Sequence, residues 1–197
     1  PTDKYWAFRE VLSRHVDVPA EAPLERAVAP AAVVPFTESV AFLPAVDAAL
    51  DWVEAPHPLD FAELGFSDGF AVYRRPLRGE GVLIADRVQD RAQVFVDGTP
   101  VGVLDRTLHD HAVGLGVAER DVTVLVENRG RVNYGPLLGE PKGLGPARIA
   151  GVDPAPWSSA RVPLDYSLLA ELVAAGERPV DGVAGPVLLH AEFEADS

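Results

Sequence analysis

The chain of 197 residues has no cysteine and no methionine. The first absence excludes disulfides, thiolate-bound metal and a cysteine nucleophile, and it leaves the redox compartment unread. Cations are scarce: 17 lysines and arginines stand against 30 acidic residues, for a formal net charge of −13 at pH 7. Such a chain is repelled by nucleic acid and by anionic membranes, so neither is expected as a partner. A neutral ligand such as a sugar suits that charge better. No run reaches the roughly 18 apolar residues of a membrane span, and no basic-then-apolar leader opens the chain. The first residue is Pro1, consistent with removal of an initiator or with an excised segment. A soluble chain is expected, its compartment open, with the cytoplasm placed ahead of secretion.

What is present is ordinary for a globular protein, 48% hydrophobic and 24% charged residues. The length allows one large domain or two small ones. Thr2 or Asp3 can cap a helix from about Lys4 to His15, with Tyr5, Phe8 and Leu12 at helical spacing and Trp6 and Val11 beside them. Residues 17–35, with prolines at 19, 23, 30 and 35, read as an extended linker. Val40 to Leu43 reads as a short strand, and Pro58 to Gly65 as one helical turn closed by glycine. From Gly69 the period becomes two. Phe70 to Arg75 alternates, and Val82 to Ala85 reads as a strand buried on both sides. Gln93 to Val96 runs into Asp97-Gly98, a hairpin signal, and returns through Val101 to Leu104. Val122 to Val126 is a further β-branched strand. Tyr166 to Ala175 predicts a short helix ending at Gly176, and Val187 to Phe193 a last strand. Short strands separated by Gly and Pro turns predict a mainly β fold, a β-sandwich or jelly roll with a short N-terminal helix.

Several ordered motifs are more specific. They are Phe70-Ala71-Val72-Tyr73-Arg74, the run Asp90 to Gly98, Val101-Gly102 with Leu104-Asp105-Arg106, and the run Leu125 to Gly135. In this order and spacing they resemble the first galactose-binding-like jelly roll of the family 35 β-galactosidases. The flanks agree: Pro1 to Arg9 resembles the last helix of that family's catalytic barrel. Trp157 to Asp165 resembles the connector after the jelly roll, and Gly185 to Glu194 the first strand of a second. The resemblance implies four segments: 1–16 as the barrel's last helix, 17–65 as linker and first strands, 66–150 as the sandwich, and 151–197 as connector and start of a truncated second jelly roll. It also implies a parent that hydrolyses terminal β-galactosides with retention, using two glutamates about 5 Å apart in a barrel upstream of Pro1. No glutamate here inherits either role, and the chain alone is expected to be inactive. The implied partner is the barrel. Without it, the aromatic helix is expected to promote self-association.

The candidate side chains each have a bland reading beside the functional one. Asp97-Gly98 is explained by turn geometry, with sugar contact the alternative. At Asp90-Arg91 an arginine–carboxylate pair at a strand start reads as a structural clamp. The run Asn128 to Gly135 holds more than a turn requires. Arg131 and Asn133 can donate to sugar hydroxyls, and the Tyr134 ring can stack on a pyranose face. Its alternative is a strand-exit loop whose Asn and Arg satisfy buried backbone carbonyls. His109-Asp110-His111 would place two imidazoles on one side of a strand, but without a third ligand a solvated loop is expected and no metal. Calcium stays open, since jelly rolls as a class often hold it, although no run has calcium-loop spacing. Gly114-Leu115-Gly116 and Gly143-Leu144-Gly145 lack the third glycine of a nucleotide loop, and Ser158-Ser159 joins no nucleophile pattern. No cofactor is expected. The functional expectation is a non-catalytic portion of a β-galactosidase, the alternative an independent galactoside-binding module.

Overall fold

The computed structural model describes residues 1–20, 31–174 and 185–194, and the chain divides into two compact units. The smaller unit, Pro1–Pro35 with Glu192–Ser197, contains helix α1 (Asp3–Leu12). Thr2 is its N-cap residue, yet its hydroxyl makes no capping bond. Instead its carbonyl accepts from the amides of Tyr5 and Trp6. The helix is shorter than its apolar spacing predicts, and none of its residues is buried.

The larger unit, Phe36–Ala191, begins with β1 (Glu38–Ala41), α2 (Phe42–Val46), a 3-10 turn (Asp47–Ala49) and β2 (Val53–Ala55). Then come β3 (Phe70–Pro76), β4 (Gly79–Ala85), β5 (Val88–Gln89), β6 (Arg91–Val96) and β7 (Thr99–Asp105). A 3-10 turn (Arg106–Leu108) leads to β8 (Ala112–Ala118) and β9 (Asp121–Glu127). The unit closes with β10 (Gly143–Leu144), β11 (Ala147–Ala150), β12 (Trp157–Arg161), α3 (Tyr166–Ala174) and β13 (Val187–His190).

An antiparallel six-stranded sheet in the order β2-β12-β3-β9-β6-β7 packs on a three-stranded sheet, β11-β4-β8. Two-residue strands β5 and β10 pair with each other, as do β1 and β13. The period of two assigns the faces. Ala71 and Tyr73 of β3, Val122, Val124 and Val126 of β9, and Ala92, Val94 and Val96 of β6 all enter one core. There they meet Leu83, Leu115 and Ile149 of the smaller sheet, as expected of a sandwich interior. The intervening Val72, Phe95 and Leu125 enter a second core with Phe42, Val46 and Leu50, and Leu172 of α3 and Leu188 of β13 pack against it. The fold is thus a β-sandwich whose larger sheet is covered on both faces at its centre, while most of the edge strands β2 and β7 is exposed.

Two local expectations are corrected. Val82 to Ala85 is not buried on both sides: Leu83 is fully buried while Val82 is 39% exposed. Strand β4 belongs to the outer sheet, so only its inward residues are covered. The strand buried on both faces is the central β9, where every residue from Val122 to Val126 is buried. The expected strand Val40 to Leu43 ends at Ala41, and Phe42 opens α2. Pro44 is the reason: it lacks a ladder donor, but the first helical turn leaves such amides unpaired anyway.

Other expectations hold locally. In Pro58 to Gly65 the Asp60 and Glu63 side chains reciprocally accept each other's amides at 2.9 and 2.8 Å, a capping box, and Gly65 closes the turn at φ +77°. Asp97 and Gly98, both at positive φ, form the β6–β7 hairpin turn. The Asp97 carboxylate also accepts the amides of Glu119, Arg120 and Asp121 at 2.8–3.0 Å, tying this turn to the β8–β9 connection that crosses from one sheet to the other. The expected C-terminus of the helix, at Ala175-Gly176, lies outside the described residues. Strand β13 ends at His190, short of Phe193.

Candidate functional site

The chemistry-bearing residues gather at the end of the larger sheet where β6 begins and β9 exits. Asp90 stands at that junction, 7% exposed. Its carboxylate accepts from Lys142 Nζ at 2.9 and 3.0 Å, from Arg106 at 3.0 Å and from the backbone amide of Arg129 at 2.8 Å. Its amide donates to the Glu127 carbonyl, and its carbonyl accepts from the Arg106 amide. Glu140 joins through a two-pronged contact with Arg106 and through Lys142 at 3.4 Å. Lys142 is 2% exposed, and two carboxylates beside it are what let an ammonium sit there. Arg91, next to Asp90, lies instead across the ladders from Asp105 and Glu127. Burial pushes the Asp90 carboxyl up, but the bonds from Lys142, Arg106 and the Arg129 amide outweigh it and hold it below the ordinary carboxylate range.

From this base the chain leaves β9 and returns to β10 as the excursion 128–142. Asn128 makes an Asx turn, accepting the Gly130 amide at 2.9 Å. Asn128 and Arg131 both donate to the Ser67 carbonyl, at 2.7 and 3.2 Å. That much matches a strand-exit loop that satisfies backbone, although Ser67 is itself exposed. Arg131 also lines a cavity of about 320 Å³ with Asp90, Arg106, Thr107 and Arg129. Asn133 is exposed, and the Tyr134 ring is 90% exposed. Leu137 and Leu138 continue an apolar tip at 51% and 65%. Arg131 therefore belongs to the cavity over the charged base, whereas Tyr134 stands clear of it.

The remaining candidates disperse. His109 is the left-handed cap of a 3-10 turn at φ +57°, and His111 precedes β8, so the two imidazoles do not share a strand. Among the described residues no group of three or more His, Cys, Asp and Glu is arranged to hold a metal. A second cavity, about 540 Å³, lies over the other face of the larger sheet, beside the ion pair of Arg74 and Asp47 at 2.6 Å. Lys142, Glu140 and Arg106 complete the site without standing among its sequence candidates, Arg106 entering only through the motif Leu104-Asp105-Arg106. The available signal was composition: Lys142 is one of two lysines, with Lys4, and sits in Glu140-Pro141-Lys142-Gly143, noticed only for its glycines.

The family model for the first all-β domain of β-galactosidase matches residues 58–160. That interval runs from the Asp60 turn through the sandwich to β12 and contains the whole charged base and its excursion. β-Galactosidase of Homo sapiens is 35% identical over 162 residues, covering 73% of this chain and 22% of the relative. That of Mus musculus is 34% identical over 155 residues, covering 73% and 24%. The Xanthomonas manihotis β-galactosidase is 31% identical over 147 residues, covering 71% and 24%. The chain thus spans less than a quarter of the length of these relatives. With the family match extending over more than half of its residues, the chain belongs to the β-galactosidase first all-β domain family.

Proposed function

We propose that this chain is a non-catalytic part of a β-galactosidase, supporting a catalytic barrel and contributing the Asn128–Gly135 loop to the substrate entrance. The observation that carries the loop's role is Tyr134: a ring 90% exposed at the tip of a loop whose base is a buried ion cluster. An exposed aromatic offers a flat apolar face, which is what a pyranose ring stacks on. In this reading Tyr134 shapes the aglycone side, with Arg131 and Asn133 as hydroxyl donors. The parent cleaves terminal β-galactosides through two barrel glutamates. Residues 1–16 would be the barrel's last helix, 17–65 linker and first strands, 66–150 the sandwich, and 151–197 connector and start of a second jelly roll. Trp6 at 45% and Phe8 at 57% exposed fit a helix that meets a partner.

The experiment is a chromogenic galactoside assay on the pure chain, joined to a galactose titration followed by NMR. No turnover, with galactose-induced shifts confined to residues 128–138, is the expected result. Turnover by the pure chain overturns the proposal. Sub-millimolar galactose binding would favour the second reading, an independent carbohydrate-binding module, which rests on the same exposed ring.

A further inference from the structure

The excursion 128–142 leaves and rejoins the sandwich at the same side chain. At its start the Arg129 amide donates to Asp90 Oδ2 at 2.8 Å. At its end Lys142 Nζ spans both Asp90 oxygens at 2.9 and 3.0 Å. Its last turn is held as well, through Glu140, which receives Arg106 and, at 3.4 Å, the side-chain amide of Gln89. The cations bonded to Asp90 are Arg106, from the turn after β7, and Lys142, from the approach to β10, with Glu140 beside both. The Arg129 guanidinium pairs instead with Asp105 at 3.3 Å and Glu127 at 3.4 Å, and Arg91 lies on the ladder opposite the same two residues. Between those two ends, residues 133–139 are exposed throughout. Tyr134, Leu137 and Leu138 would lower their free energy by folding down onto apolar surface. A closed base restricts that collapse, because fixing both ends of a loop removes most of its reach.

We propose that Asp90 is the positioning residue of this loop: one buried carboxylate holds both ends of the excursion, so that its apolar tip is presented outward. This deepens the reading above, since it rests on the loop meeting substrate at that tip. Asp90 itself touches no substrate. It acts through the Arg129 amide and the Lys142 ammonium.

The test is native-state trypsin cleavage after Arg129 and Arg131 on the full chain, read beside urea unfolding, amide exchange and a galactose titration. Asp90→Asn keeps the shape and removes the charge. It should speed cleavage in the loop by about 10- to 100-fold, the range a charge-assisted hydrogen bond controls, and Asp90→Glu should recover part of the protection. Should Asp90→Asn fail to fold, Arg129→Pro supplies the second variant, with cleavage read after Arg131 and Arg129→Ala as its control, since both lose the guanidinium bonds to Asp105 and Glu127. Arg129→Pro alone also deletes the amide donor, and it leaves the Asp90–Lys142 pair in place. It should release the start of the loop while unfolding stays cooperative. Cleavage that rises only in step with global unfolding, in whichever variant folds, overturns the proposal. The two readings separate cleanly. Loop release in Asp90→Asn without galactose-induced shifts in the parent chain keeps the clamp and discards the sugar role. Galactose-induced shifts at Tyr134 that persist unchanged in Asp90→Asn discard the clamp and keep the sugar role.

Discussion

Lys142 holds its ammonium within 3.0 Å of both carboxylate oxygens of Asp90, in a site where the lysine is 2% and the aspartate 7% exposed. The two residues are 52 positions apart in the chain. Their meeting closes the end of the sandwich from which the candidate loop rises.

Removing one partner of such a pair strands the other. A lone buried charge costs about 3–5 kcal/mol, but Arg106 remains 3.0 Å from Asp90. Lys142→Met should therefore lower unfolding stability by about 2–3 kcal/mol, measured by urea titration. The double variant with Asp90→Asn should lose less than the sum of the single losses. Additive losses would mean that the two residues are not coupled.

The same cluster makes stability depend on acid. Asp90 is held below its ordinary value, since the bonds from Lys142, Arg106 and the Arg129 amide outweigh burial. The folded state therefore binds its proton less readily than the unfolded state, whose aspartate titrates near pH ~3.9. Its contribution is fully present above that value and is lost as pH falls through the lower folded value. Asp97, Asp105 and Asp165 are shifted in the same direction, so the acid decline is shared. Urea midpoints taken between neutral and acid pH should fall less steeply below about pH 4 in Asp90→Asn than in the parent. Identical slopes would contradict the assignment.

Gly143 should be irreplaceable. Its φ is +115°, and an added Cβ would come within 2.6 Å of the Tyr73 hydroxyl and 3.1 Å of Phe61. Backbone strain and overpacking together should make Gly143→Ala cost about 2–4 kcal/mol. Gly130, at φ +105°, has nothing within 4 Å of the same added atom. Gly130→Ala should carry the strain alone, about 1–2 kcal/mol. Equal losses in the two variants would show that space at Gly143 is not limiting.

Two tyrosines should behave oppositely. Tyr73 is fully buried, its hydroxyl accepts the Leu144 amide at 3.2 Å, and burial pushes its phenol up. Tyr73→Phe leaves that buried amide unpaired and should cost about 1–3 kcal/mol. Tyr134→Ala, at an exposed tip, should stay within about 0.5 kcal/mol while erasing any galactose-induced shift. A large stability loss in Tyr134→Ala would mean that the ring packs on the protein and is not free for a ligand.

Local patterns in the sequence were enough for β3, β6 and β9 and for the Asp97-Gly98 turn, because strand alternation and turn conformation depend on neighbours a few positions away. The ordered motifs from Phe70 to Gly135 were enough to point to the family. The candidate loop was legible too, as an excess of glycine, arginine, asparagine and tyrosine in eight residues. Its base was not. Asp90 looked like a clamp with an adjacent arginine, yet Arg91, on the ladder, aligns with Asp105 and Glu127.

The sequence by itself determined which residues alternate, where the chain turns and which family order the motifs follow, since each depends on short-range spacing. Tertiary structure alone decided that β9, not β4, is covered on both faces, because burial depends on a strand's place among its neighbours. It also decided that one carboxylate collects Lys142, Arg106 and the Arg129 amide. Those partners come from separate strands and turns, so sheet register and packing, not spacing along the chain, bring their charges within hydrogen-bonding distance.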